Sequence, residues 1–142
     1  MAATRTAHTV WNGDLMTGAG NTTLDSSGLG NFDVTWKARA EASEGKTSPE
    51  ELIAAAHSAC FSMAFSLAIA QAGHTPEEIN TKADVTFVPG TGITDSHLTV
   101  SARIPGISED EFQRLAEEAK VGCPVSAALT GIKITLDASL AS

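Results

Sequence analysis

The sequence predicts an α+β fold in which antiparallel sheets surround one long, buried central helix. Three observations predict it: strand-like and helix-like segments come in blocks, two strong helix starts are present, and one helix-like segment is long and apolar. The expected element order is βββ-α-ββ-α-(α)-β. With 142 residues, 42% hydrophobic and 18% charged, the chain suits a single globular domain over residues 1–142.

The first third of the chain reads as strands. Thr4–Trp11 is rich in β-forming residues and runs into Asn12-Gly13, a dipeptide that favours a tight hairpin turn. A second strand is expected from residues 14–17 together with 22–24, interrupted by glycines. Residues 32–40 alternate between apolar and polar side chains, which predicts a third strand with Arg39 on its polar face.

The central helix is predicted to start at Ser48-Pro-Glu-Glu51 and to end at Gly73. Ser48 can cap the first turn, Pro49 suits the first helical position, and Glu51 can complete a capping box. No charged residue occurs from Leu52 to Ala70, so the segment is long enough to span a bilayer. Because it is dominated by Ala and Ser and contains a histidine, we expect the buried helix of a globular fold and no membrane partner.

The remaining elements follow from turn and capping signals. Ser108-Glu-Asp-Glu111 is a second capping box. The expected elements are a one-turn helix at Thr75-Pro-Glu-Glu78, strands at 80–88 and 93–104 joined through Pro89-Gly-Thr-Gly92, a helix from 108 to about 120, a short helical segment at 124–129 and a strand at 132–136.

Charge and composition exclude some partners. The net charge is −8 and no run of Lys or Arg occurs, which argues against nucleic acid or an anionic membrane surface. The first ten residues lack an apolar segment typical of a secretory signal, so a cytoplasmic protein is expected. In a reducing cytosol, two distant cysteines indicate redox chemistry, metal binding or packing rather than a static disulfide.

The two cysteines, Cys60 and Cys123, differ in their local sequence. Cys60 lies in the middle of the apolar helix, where a buried and inert thiol is the simplest interpretation, although His57 is one turn away. Cys123 lies in Gly122-Cys-Pro124, where one helix ends and another can begin, so backbone N–H groups can lower its pKa. Local sequence alone therefore favours Cys123 as the nucleophile.

Other chemistries have weaker support. No Cys-x-x-Cys or paired Cys/His spacing is present, and only His57 and Cys60 share a helical face, so no metal site is expected. Neither a Gly-x-Ser-x-Gly elbow nor a phosphate-cradling glycine pattern occurs.

Two motifs resemble one known family. The run Ser48-Pro-Glu-Glu-Leu-Ile-Ala-Ala-Ala-His-Ser-Ala-Cys-Phe-Ser-Met-Ala64 and the later Val121-Gly-Cys-Pro-Val-Ser126 resemble the osmotically inducible protein C / organic hydroperoxide resistance (OsmC/Ohr) family, with the first motif closer to the OsmC branch. The resemblance implies an intertwined homodimer with active sites at the subunit interface. It also implies a thiol-dependent peroxidase that acts on organic hydroperoxides, and more weakly on hydrogen peroxide, with an external dithiol reductant and no cofactor.

The resemblance also implies roles for four residues. Cys60 matches the peroxide-attacking cysteine and Cys123 the resolving cysteine, which reverses the order that local sequence favours. Glu50 matches the motif glutamate, and Arg39 the active-site arginine. Ten residues separate Glu50 from Cys60, about 15 Å along a straight helix. We therefore expect that Arg39 bridges them or that they act from different chains.

Two alternatives from other classes stay open. One is a non-catalytic, stress-associated dimer that binds a small hydrophobic ligand. The other is a small zinc protein that uses His57 and Cys60.

Overall fold

The computed structural model describes residues 1–141, which form two compact units, Met1–Leu52 and the chain from Ile53 onward. The fold is α+β, as predicted. Its strands and helices are β1 (Ala7–Asn12), β2 (Ala19–Leu24), β3 (Asn31–Val34), α1 (Trp36–Ala40), α2 (Pro49–Gln71), β4 (Glu78–Val88), β5 (Gly92–Arg103), α3 (Glu109–Gly122), α4 (Pro124–Ala128) and β6 (Lys133–Ala141).

The first unit is built on a three-stranded antiparallel sheet in the order β1-β2-β3. Strands β1 and β2 form a hairpin, but Asn12 pairs with Ala19 and the loop covers residues 13–18, so the tight turn expected at Asn12-Gly13 and the strand expected at 14–17 are wrong. Gly13 in this loop has φ 97°, a conformation that favours glycine. Trp11 pairs with Gly20 across the sheet. A Cβ at Gly20 would come within 2.7 Å of the Trp11 ring, so the indole requires a glycine opposite it.

The predicted third strand is wrong in its second half. Residues 36–40 form helix α1, whose N-cap is Thr35; its hydroxyl accepts a hydrogen bond from the Ala38 N–H at 3.1 Å. Five alternating residues are too few to separate a strand from a helical turn, and a local cap with good helix formers decides for the helix. Arg39 therefore lies in the last turn of a helix and not on the face of a strand.

Helix α2 has the predicted ends. The Ser48 hydroxyl accepts from the Glu51 N–H at 3.1 Å, although the Glu51 carboxylate accepts from Thr47 at 2.6 Å instead of closing the box. At the other end Gly73 has φ 88° and the His74 N–H donates to the Ile69 carbonyl at 3.1 Å. This is the Schellman pattern, and it stops the helix where the sequence indicated.

The core of the second unit lies between α2, β5 and α3. Phe61 and Phe65 of α2 are fully buried, with ring centroids 5.5 Å apart, and Phe65 lies 5.6 Å from Phe112 of α3. Tilted aromatic pairs at these distances add stability beyond the area they bury. The other buried apolar members of this core are Ile69, Leu98, Val100, Ala102, Ile104, Leu115, Ala116 and Ala119.

The opposite face of α2 is apolar and exposed in the single chain. Met63 is 73% exposed and Leu67 59% exposed. The helix has a mean hydropathy of 1.8 over 18 residues, of which 22% are buried, so by length and composition it could cross a membrane. A core helix of a soluble protein meets the same test, so one such helix is weak evidence for a membrane span. The expected burial of this helix thus holds for one face only.

The second sheet has the order β4-β5-β6, and its last pairing is parallel. Strands β4 and β5 form the predicted hairpin, whereas β6 runs parallel to β5 after the crossover through α3 and α4. Pairing is otherwise antiparallel, as expected, and this parallel ladder is the exception. The one-turn helix expected at residues 75–78 is also wrong: the Glu77 N–H donates to the Arg103 carbonyl at 2.8 Å and β4 starts at Glu78, because sheet pairing satisfies this backbone.

Candidate active site

Cys60 lies on α2 as a free and partly exposed thiol. Burial of its surroundings raises the pKa of the Cys60 thiol, and the neighbouring Cys123 sulfur raises it further, while the Val125 N–H acts in the opposite direction. By itself, the second unit therefore holds the proton on Cys60. The residue is nevertheless not sealed from solvent.

Cys123 is a free thiol with no exposed surface, at the junction of α3 and α4. Its N–H donates to the Ala119 carbonyl at 2.9 Å and ends α3, and Pro124 then starts α4. Burial alone would raise the pKa of Cys123. Hydrogen bonds from the Cys60 thiol, from the backbone and hydroxyl of Ser126 and from the Val125 N–H outweigh it and lower the pKa.

The two thiols are therefore close enough for each to change the pKa of the other. In the second unit, Cys123 holds the negative charge more readily and Cys60 donates its S–H to it. Ease of ionisation and exposure to solvent therefore favour different nucleophiles. Cys123 ionises more easily but is fully buried, whereas Cys60 is partly exposed but is the weaker acid.

A buried histidine lies beside this pair. His57 is fully buried on α2, with Nδ1 2.7 Å from the Ser96 hydroxyl of β5 and Nε2 2.8 Å from the Ser126 hydroxyl of α4. Burial lowers the pKa of His57, so the imidazole is neutral at pH 7. Both ring nitrogens are occupied by hydroxyls, which leaves neither for the zinc site considered with Cys60.

Arg39 and Glu50, both in the first unit, form a forked ion pair. Arg39 Nε lies 3.2 and 3.1 Å from the two Glu50 oxygens, and its Nη2 lies 2.9 Å from Oε2. The Glu50 side chain is 8% exposed and that of Arg39 30%. A bidentate pair of this kind fixes the plane of the guanidinium.

A cavity of about 390 Å³ adjoins this pair within the first unit. Arg39 is the one charged residue of its lining, which is otherwise mostly apolar. The lining comprises Thr9, Trp11, Leu15, Thr22, Val34, Thr35, Trp36, Arg39, Pro49 and Leu52. An apolar cavity with one fixed cation suits a small molecule that has an apolar body and a polar or anionic end.

The four predicted site residues thus fall into two pairs, Arg39 with Glu50 in the first unit and Cys60 with Cys123 in the second. The two hydroxyls that flank His57 were missed. Ser126 could have been singled out, because it lies in the second motif, three residues after Cys123 and in the first turn of α4. Ser96 could not, since 39 residues separate it from His57.

Within residues 1–141, no group of three or more His, Cys, Asp or Glu side chains is arranged to hold a metal ion.

Comparisons with known proteins agree on one family. Residues 41–137 match the OsmC-like protein family, a range that begins just after Arg39. Peroxiredoxin OsmC of Escherichia coli (strain K12) is 43% identical over 135 residues, 93% of each chain. Organic hydroperoxide resistance protein OhrA of Bacillus subtilis (strain 168) is 32% identical over 102 residues, 70% of this chain and 72% of that one.

Solved structures share the fold. An OsmC-like protein from Mycoplasma pneumoniae superposes with a TM-score of 0.75 at 17% identity, covering 100% of both chains. An organic hydroperoxide resistance protein from Elizabethkingia anophelis superposes with a TM-score of 0.69 at 29% identity, covering 99% of this chain and 100% of that one.

Proposed function

The chain belongs to the OsmC-like protein family, and from that premise we propose that it reduces organic hydroperoxides through a cycle of its two cysteines. The coarser conclusion rests on the relatives themselves. They are peroxiredoxins and organic hydroperoxide resistance proteins, so this chain is a peroxidase with a role in peroxide stress. The substrate preference and the residue roles are our proposal.

One observation carries the proposal: a partly exposed thiol and a buried thiol interact within one compact unit. In this proposal the peroxide reacts at the partly exposed Cys60, and the neighbouring Cys123 reacts with the sulfenic acid that forms there. Cys60 is therefore the attacking residue and Cys123 the resolving one, although Cys123 is the stronger acid.

The chemistry proceeds in three steps. The Cys60 thiolate attacks one peroxide oxygen, the O–O bond breaks, and the alkoxide leaves and takes up a proton to become the alcohol, while Cys60 becomes a sulfenic acid. The Cys123 thiolate then attacks the Cys60 sulfur, an S–S bond forms, and hydroxide leaves as water after protonation. An external dithiol reduces the disulfide by two exchange steps, which returns both thiols without a metal or other cofactor.

Cys60 needs a cation to ionise, because its own unit raises its pKa. We assign this role to Arg39, which carries a permanent charge, and the role of orienting it to Glu50. The guanidinium would also polarise the peroxide. The apolar cavity beside Arg39 supports an alkyl or lipid hydroperoxide as substrate over hydrogen peroxide, which has no apolar part to bury.

The exposed apolar face of α2 supports a homodimer. Met63 and Leu67 would cost free energy if left in water, and a second copy of the chain would cover them. In such a dimer Arg39 can serve Cys60 of its own chain or of the partner. Mixing Cys60→Ser and Arg39→Ala chains distinguishes the two: mixed dimers regain activity only if the arginine acts across the interface.

We also propose a single domain over residues 1–142. A cytoplasmic location and a dithiol or thiol-protein reductant fit a thiol cycle that must be reset by reduction.

The first test is a titration of free thiols after one equivalent of cumene hydroperoxide. The proposal requires the loss of both thiols in the native chain and no loss in Cys60→Ser. A second candidate, non-catalytic binding of a small hydrophobic ligand, is favoured by the 390 Å³ apolar cavity. Unchanged thiols together with saturable binding of a hydrophobic fluorophore would decide for it. The zinc alternative is tested by metal analysis of the purified protein.

A further inference from the structure

We propose that Ser96, His57 and Ser126 form a one-way chain of hydrogen bonds that holds Cys123 ready to resolve the Cys60 sulfenic acid. This inference rests on the proposed function and adds residues to it. His57 and Ser126 are positioning residues in it, because they act through Cys123.

The direction of the chain follows from counting hydrogens. Ser126 lies in the first turn of α4, three residues after the N-cap residue Cys123, and both residues are buried. In this proposal its single O–H is donated to the Cys123 sulfur, in the direction that lowers the pKa of Cys123. Its oxygen, 2.8 Å from Nε2, must then accept from His57. A neutral imidazole has one N–H, so Nδ1 is an acceptor, and the Ser96 hydroxyl at 2.7 Å donates to it. Each group thus donates toward the sulfur.

Burial makes this arrangement rigid. His57 and Ser96 have no exposed surface and Ser126 is 5% exposed, so water cannot replace any link. Three different elements supply the side chains: α2, β5 and α4. Each ring nitrogen has one hydroxyl partner, and within residues 1–141 no buried side-chain nitrogen or oxygen lacks a hydrogen-bond partner. Because the Ser126 O–H is held in one donating orientation, it favours the Cys123 thiolate over the thiol at every stage of the cycle.

The chain acts on the second step of the reaction. Resolution needs Cys123 as a thiolate at the moment when Cys60 has become a sulfenic acid and no longer offers its S–H. The Ser126 hydroxyl and the backbone N–H groups of Val125 and Ser126 then remain to stabilise the negative charge. A protein variant without the Ser126 hydroxyl should still form the sulfenic acid but should close the disulfide slowly.

The test separates the two steps. Rapid mixing with cumene hydroperoxide, followed by trapping with a sulfenic-acid reagent, measures the formation and the decay of the sulfenic acid. In Ser126→Ala we expect the decay to slow about tenfold at pH 7, as expected for one lost hydrogen bond to a charged group. Formation should keep its rate or become faster, because the proton shared by the two thiols moves toward Cys123.

A structural defect would behave differently, since it would slow both steps. Ser126→Thr keeps the hydroxyl and should restore the decay rate. His57→Leu should resemble Ser126→Ala, while His57→Gln, which can still donate to Ser126, should lie closer to the native chain. Ser62→Ala is the matched control, because Ser62, on α2, is also a serine with a side-chain partner, the Thr81 hydroxyl at 2.7 Å, but it is not part of the hydrogen-bond chain.

A second measurement does not depend on peroxidase activity. In Cys60→Ser, Cys123 is the remaining thiol, and Cys60 is the one titratable group among those that act directly on its sulfur. Ultraviolet absorbance of the thiolate should show a midpoint that moves to higher pH when Ser126→Ala is added, but not when Ser62→Ala is added. An unmoved midpoint, or equal slowing of both steps, overturns the hydrogen-bond chain. If the midpoint moves as expected but the native protein consumes no peroxide, the proposed function is wrong and the hydrogen-bond chain stands.

Discussion

The Arg39–Glu50 pair gives the sharpest quantitative prediction. In Glu50→Gln the side chain keeps its shape and one oxygen, but an NH₂ group replaces the other oxygen and faces the N–H donors of the arginine. The bond at 2.9 Å and half of the fork are lost, together with the negative charge. A hydrogen bond to a charged group contributes about 1.5–3 kcal/mol, and because Arg39 is 30% exposed we take the lower part of this range, about 2 kcal/mol of unfolding free energy.

The effect on activity should be larger than the effect on stability. A guanidinium that is no longer held in one plane stabilises developing charge less well, and loss of one such preorganised contact lowers the rate by about 10²-fold. The assay is kcat/KM for cumene hydroperoxide, with urea unfolding of the same variants. Glu51→Gln is the control, since it makes the same charge change on the adjacent, exposed residue.

Equal kcat/KM values for Glu50→Gln and Glu51→Gln would refute the assigned role of the ion pair. Glu50→Asp need not restore kcat/KM, because its shorter side chain moves the carboxylate and changes the geometry of the fork.

Three further predictions concern other parts of the chain. Leu67→Glu places a charge on the exposed face of α2 and should raise the dimer dissociation constant at least about tenfold in sedimentation experiments. Val121→Glu, on α3, should leave the constant unchanged, and equal effects of the two variants would place the interface elsewhere. Because burial lowers the pKa of His57 from 6.5, the unfolded chain binds a proton that the folded chain does not, so unfolding free energy should decline as pH falls below 6.5. That decline should weaken in His57→Gln but persist in His8→Gln, which changes an exposed histidine. A decline of unchanged size in His57→Gln would argue against a neutral buried imidazole. Arg39→Lys keeps the charge but loses the fork, and peroxidase assays should show activity nearer to Arg39→Ala than to the native chain; full activity would show that charge alone suffices.

Capping signals made much of the fold predictable. Ser48 and Ser108 mark the first turns of α2 and α3 because their hydroxyls accept the N–H groups that a helix start leaves open. Gly73 marks the end of α2 because the chain must adopt a positive φ there. These signals are local, so the printed sequence contains them in full.

The predicted elements were wrong where strand pairing or a helix cap determined the structure against the local sequence pattern. The alternation over residues 36–40 fits a strand, but the Thr35 cap starts a helix. Residues 75–78 carry a helix-start pattern, but Glu77 and Glu78 pair with Arg103 of β5. The parallel placement of β6 depends on how α3 and α4 return the chain, which no residue of β6 specifies.

The sequence named four candidate residues, but their grouping into two interacting pairs could be seen only in the structure. Family motifs identified the two cysteines, and the structure adds that Cys123 is sealed while Cys60 is accessible. Local sequence favoured Cys123 as the more acidic thiol, and its lowered pKa agrees with that. Acidity and reactivity toward peroxide are separate properties, since a buried thiolate cannot meet a substrate.

The most direct test of the proposed cycle compares the two single-cysteine variants after brief exposure to cumene hydroperoxide. A sulfenic-acid reagent followed by peptide mass spectrometry identifies the oxidised residue and its rate of oxidation. We expect Cys60 to be labelled in Cys123→Ser at the native rate or faster, because the sulfur that raises its pKa is gone. Cys123 in Cys60→Ser should be labelled at least about 10²-fold more slowly, since the reacting groups cannot come together at a buried sulfur. Rapid labelling of Cys123 in Cys60→Ser, with little labelling of Cys60 in Cys123→Ser, would contradict the assignment of Cys60 as the attacking thiolate.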